Sequence, residues 1–72
     1  MEKLVKELCE LLEVDALPLK EKFEDMAEWD SLNALCVIAL LDSNYKLRME
    51  VAELHGFRSI LEFIEYVIAH KS

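Results

Sequence analysis

The sequence predicts a small all-α fold, a bundle of three main helices plus one short helix, on three observations. Apolar residues recur at helical spacing at both ends of the chain, a long uncharged run lies between them, and nowhere do polar and apolar residues alternate as in a strand. There is no internal repeat or low-complexity stretch, so residues 1–72 are expected to form a single domain. Its core must be thin, because a domain of this size buries only about 60% of the surface its unfolded chain exposes.

The first helix is amphipathic. Leu4, Leu8, Leu11 and Leu12 share one face with Val5 beside them, while Glu2, Lys3, Lys6, Glu7, Glu10 and Glu13 fall mostly opposite. From Val14 to Glu28 the periodicity breaks around Pro18, yet Val14, Leu17, Leu19, Phe23 and Met26 keep supplying apolar anchors. A connection of this length is expected to be pinned to the core by them. Asp30 then precedes an unbroken apolar stretch, and its carboxylate can accept a hydrogen bond from a free NH of the first helical turn. This makes it the N-cap of a second helix running from about Ser31 to Tyr45. Val51 to Leu54 reads as a short helical turn, closed by His55 and by Gly56 in a left-handed conformation. Ser59-Ile60-Leu61-Glu62 reads as a capping box, the serine hydroxyl accepting from the NH of Glu62 while the glutamate reaches back to the NH of Ser59. The last helix follows, with Ile60, Phe63, Ile64, Val67 and Ile68 as its apolar stripe and Glu62, Glu65 and Lys71 facing water.

The second helix is unlike the others. Nearly every residue from Leu32 to Leu41 is apolar, more than three small helices can cover. With Ala34, Val37, Ile38, Leu41 and Tyr45 directed inward, Leu32, Leu35, Cys36 and Ala39 remain on the flank or in solvent. Either the short helix and the long loop fold over this strip and make it core, or it is exposed as a partner surface.

Composition narrows the function. With 54% hydrophobic and 32% charged residues the chain has too much apolar material to stay disordered. Eight basic against fifteen acidic side chains give a net charge of -7, which disfavours nucleic acid and makes a basic protein surface the natural partner. The longest uncharged run, Leu32 to Leu41, is about half of what a bilayer span needs, and no basic segment precedes it as in a signal peptide. A cytoplasmic, monomeric protein without a membrane span is expected. Cys9 and Cys36 lack metal-ligand spacing to each other or to His55 and His70, so no metal site is expected and both are read as reduced thiols. The histidines are read as packing or surface residues and no catalytic set is recognisable, so an enzyme is not expected.

Trp29-Asp30-Ser31-Leu32 resembles the modification site of acyl carrier proteins, where an Asp-Ser-Leu tripeptide opens the second helix. The tripeptide is weak by itself, but its setting matches too: carrier length, strong acidity, an amphipathic first helix, an apolar-pinned loop, then a short and a last helix. The resemblance covers essentially the whole chain. It implies that Ser31 receives 4'-phosphopantetheine from coenzyme A through a magnesium-dependent phosphopantetheinyl transferase. The chain would then hold acyl groups as thioesters for acyl-loading and acyl-processing enzymes. Asp30 matches the family residue beside the serine that helps the transferase hold its metal. Trp29, Leu32, Leu35, Cys36 and Ala39 are the expected partner-binding residues, and the resemblance also implies a cleft between helices that shelters an apolar acyl chain.

The chain departs from the family pattern at two places. Ala27-Glu28-Trp29 leads to the Asp-Ser-Leu where a glycine is usual, and Asn33 and Cys36 occupy second-helix positions that are often acidic, leaving Asp42. Recognition by apolar contact and a specialised fatty acid, lipid or polyketide pathway are the corresponding expectations. Two other readings stand beside the acyl carrier: a helical interaction module without a prosthetic group, and a peptidyl or aminoacyl carrier.

Overall fold

The computed structural model describes residues 2–27 and 29–71, so Glu28, where the long connection was expected to end, lies outside the described residues. The element order is α1 (Glu2–Leu12), a 3₁₀ turn (Phe23–Asp25), α2 (Ser31–Tyr45), α3 (Val51–His55) and α4 (Ile60–His70). Among the described residues there is no strand, and the helical bundle read from the sequence is the fold.

The helices bury the residues their spacing selects. Leu4, Leu8 and Leu12 of α1, Ala34, Val37, Leu41 and Tyr45 of α2, and Ile60, Phe63, Ile64 and Val67 of α4 meet in one core with Phe23, Met49 and Leu54. Leu11 and Ile68 sit half-buried against it, and Ile38, expected to point inward, is half-buried without being part of it. A hydrogen-bonded clamp ties α1 to α2: Glu7 accepts from the Tyr45 hydroxyl on one carboxylate oxygen and from Asn44 Nδ2, at 2.7 Å, on the other.

The loop after α1 is pinned as expected, and the structure adds how. Phe23 is buried in the core, while Val14, Leu17, Leu19 and Met26 pack against it. The loop carbonyls of Glu21 and Leu19 also accept from the NH groups of Ile60, at 2.7 Å, and Leu61, at 3.0 Å, satisfying donors that the first turn of α4 would otherwise leave open. The 3₁₀ turn at Phe23–Asp25 is an addition to the sequence reading.

Helix ends account for the two corrections. Gly56, expected in a left-handed conformation, is right-handed at φ -79. Its NH donates to Glu53 O at 3.0 Å, a tightened last turn that closes α3 without any reversal of φ. The left-handed positions are Glu13, at φ 59, and Lys46, at φ 52. Each follows a helix whose last turn is closed by a long backward bond, Val14 NH to Cys9 O at 3.0 Å and Leu47 NH to Leu41 O at 3.1 Å. At the start of α4, Ser59 Oγ accepts from the Glu62 NH at 3.1 Å as expected, but the Glu62 carboxylate turns to the NH of Arg58, at 3.5 Å, rather than to Ser59. The capping box is therefore half-formed.

Candidate functional site

Asp30 and Ser31 form the start of α2. Asp30 is extended, at φ -146, and caps the helix: its Oδ1 accepts from the Asn33 NH at 2.9 Å and its carbonyl from the Ala34 NH at 3.1 Å. The NH groups of Ser31 and Leu32 belong to the same first turn, where helix geometry provides no carbonyl. Ser31 is the first helical residue and is exposed. Its hydroxyl thus stands in water beside free NH donors and the positive end of a 15-residue helix, a setting that accommodates a phosphate. No base is hydrogen-bonded to that hydroxyl among the described residues.

Trp29 anchors the approach to this turn. Its indole stacks on Phe23, with ring centroids 4.8 Å apart, and Phe23 in turn meets Phe63 of α4 edge-on at 5.0 Å. The indole NH donates to His55 Nε2, at the end of α3, at 3.0 Å. The bond requires a lone pair on Nε2. Where the sequence shows no glycine before Asp30, the structure therefore shows a fastened aromatic ring. His55 was read as a packing residue and is one; its pairing with Trp29 was not foreseen. The one hint in the sequence was that a half-buried tryptophan NH generally finds an acceptor.

Beyond the first turn α2 presents the apolar strip in the open. Leu32 is 67% exposed and Leu35 57%, Ala39 is exposed, and Cys36 is half-buried. The alternative of a covered strip is thus settled by exposure. Trp29, three residues before Leu32, is half-buried, stacked on Phe23 and hydrogen-bonded to His55. Next to the strip a groove of about 540 Å³ runs between α2 and the segment that leads into α3, its apolar residues Leu35, Ile38, Ala39 and Met49 and its polar ones Asp42, Arg48, Glu50 and Glu53. A smaller cavity of about 230 Å³ lies on the loop side, lined in part by Leu12, Met26, Trp29 and Asn33.

The start of α2 thus displays a hydroxyl with a carboxylate beside it and an exposed apolar ridge behind it. A family model described as phosphopantetheine attachment site matches residues 2–67. The chain belongs to that family. It is a phosphopantetheine carrier, and 4'-phosphopantetheine is the group that the family holds covalently. No curated protein and no solved structure matched the chain.

For this carrier the residue types fit the group, which needs a solvent-facing hydroxyl and room for a phosphodiester, and Ser31 offers both. Cys9 and Cys36 are free thiols, and among the described residues no cluster of His, Cys, Asp or Glu could hold a metal ion. Among those residues no helix is long and apolar enough to cross a membrane.

Proposed function

We propose that Ser31 is the residue to which 4'-phosphopantetheine is joined, and that the chain carries acyl groups as thioesters for a specialised fatty acid, lipid or polyketide pathway. One observation carries this reading: in a chain of the phosphopantetheine family, Ser31 is the exposed first residue of α2, behind an N-cap carboxylate and ahead of an exposed apolar ridge.

Loading forms one bond, from Ser31 Oγ to phosphorus of coenzyme A, and breaks the bond to the departing 3',5'-adenosine bisphosphate. The serine proton leaves to a base of the phosphopantetheinyl transferase. Asp30, exposed and negative beside Ser31, contributes an oxygen ligand to the transferase's magnesium while still capping α2. When bound, the arm supplies a terminal thiol that holds the acyl group.

The rest of the chain serves that arm. Leu35 and Ala39 follow Ser31 by one and two turns, about 6 and 12 Å along the helix axis at 1.5 Å per residue. The groove whose apolar wall they form with Ile38 and Met49 would therefore lie one to two helical turns beyond the arm's point of attachment. This groove, lined in part by the buried Met49, would shelter an apolar acyl chain from water. Leu32, Leu35, Ala39 and the edge of Cys36 are the docking ridge for acyl-loading and acyl-processing enzymes. The protein is a shuttle and substrate for those enzymes and catalyses nothing itself, working as a cytoplasmic monomer.

The test is the intact mass of the purified protein before and after incubation with coenzyme A, magnesium and a permissive transferase, with Ser31→Ala alongside. A gain of one phosphopantetheine unit by the wild type only is the expected result. No gain by a folded apo protein would replace the carrier reading with that of an interaction module. Efficient loading by a general fatty acid malonyltransferase would remove the specialised pathway.

A further inference from the structure

His55 belongs to α3, 26 residues away in sequence from the ring it touches, and its Nε2 is the acceptor of the Trp29 indole NH at 3.0 Å. Trp29 is joined to the preceding loop by its own NH, which donates to Met26 O at 3.1 Å, and to the core by stacking on Phe23. Stacking is tolerant of sliding and rotation, whereas a hydrogen bond to a ring nitrogen is directional. Of the contacts that hold Trp29, the one to His55 is thus the one that fixes where the indole points, and Asp30 and Ser31 follow Trp29 directly in the chain.

We propose that His55 is a positioning residue for the loading of Ser31, acting through the Trp29 indole. The proposal rests on the reading of Ser31 as the attachment residue. Without the acceptor, the Trp29 ring keeps its stack on Phe23 but turns, and the extended backbone at Asp30 that aims Ser31 outward samples other arrangements. The transferase then meets a population only part of which is competent, so the apparent affinity falls by that fraction while turnover of the bound complex is unchanged. The expected signature is a higher KM for the carrier with the same kcat.

The experiment measures the transferase's kcat and KM for the full apo carrier and for His55→Phe, His55→Gln, Trp29→Phe and the double variant Trp29→Phe with His55→Phe. His55→Phe fills the space with a ring and removes the acceptor. Glutamine places an amide oxygen within similar reach. A higher KM for His55→Phe is expected, by up to about fivefold, the ceiling set by the weight of one ordinary hydrogen bond. KM should return to near the wild-type value for His55→Gln, and the double variant should be no worse than either single. Emission from Trp29, the only tryptophan, should shift in His55→Phe and return in His55→Gln. Thermal melts identify any variant unfolded at the assay temperature, in which case Trp29→Phe, which keeps an aromatic ring on Phe23, decides the matter alone. An unchanged KM in the folded variants would overturn the proposal, as would equal defects for His55→Phe and His55→Gln. Failure of the attachment reading looks different: the wild type gains no arm, or Ser31→Ala gains one.

Discussion

Replacing Asp30 separates its two proposed duties, because one needs an acceptor oxygen and the other a negative charge. Asp30→Ala removes the bond from the Asn33 NH, 2.9 Å long, and with it the side-chain cap of the first turn. N-cap losses of this kind cost about 1 kcal/mol. Unfolding entropy of about 2.1 cal/mol/K per residue gives this chain of 72 residues about 0.15 kcal/mol/K, so the melting temperature should drop by about 6 to 7 °C. Asp30→Asn keeps an oxygen at the same place and caps about as well, losing only the attraction of the charge to the helix end, about 0.3 to 1 kcal/mol at such an exposed site. Its melting temperature should therefore lie between wild type and Asp30→Ala. Loading should follow charge rather than cap: both variants lose at least tenfold in transferase kcat/KM, and raising magnesium recovers part of it. The assay pairs calorimetric melts with mass-resolved loading rates. Wild-type loading of Asp30→Asn would refute the metal-ligand role, and an unchanged melting temperature for Asp30→Ala would refute the capping energetics.

Lys46→Gly should raise the melting temperature by about 3 to 6 °C, since a left-handed lysine at φ 52 carries about 1 to 2 kcal/mol that glycine avoids, offset in part by glycine's larger unfolded-state entropy; a lower melting temperature would overturn this. Burial, then the hydrogen bond and the charge of Glu7, push the Tyr45 hydroxyl up to about 12, so the native state keeps a proton that the unfolded chain releases near pH 10. The stability this pairing contributes is complete below about pH 10 and is lost toward pH 12, and denaturant titrations should show a steeper decline there for wild type than for Tyr45→Phe. Leu35→Glu should leave the fold within about 0.5 kcal/mol, because the side chain is 57% exposed, yet cut kcat/KM of an acyl-loading partner enzyme by tenfold or more. Unaltered partner kinetics would remove Leu35 from the docking ridge.

Local rules made much of this protein legible from its residues alone. The spacing of Leu4, Leu8 and Leu12, and of Ile60, Phe63, Ile64 and Val67, determines the buried faces of α1 and α4, because a helix can turn only one stripe to a core. Asp30 and Ser59 determine where α2 and α4 begin, since each supplies the acceptor that a first turn lacks. With the helix starts came Ser31 and Asp30. The left-handed turn expected at Gly56 shows the limit of such rules: glycine permits positive φ without requiring it, and Lys46 and Glu13 took that conformation where tertiary packing redirected the chain.

Only the tertiary structure could decide whether the α2 strip is covered. Periodicity shows which residues share a face but not what lies opposite, and the loop spent its apolar side chains on the core and its carbonyls on Ile60 and Leu61 instead of folding over Leu32 and Leu35. The same holds for the bond from Trp29 to His55 and for the clamp of Glu7 with Asn44 and Tyr45. Each joins residues more than 25 positions apart, and such pairs arise from the path of the whole chain, which no local sequence signal encodes.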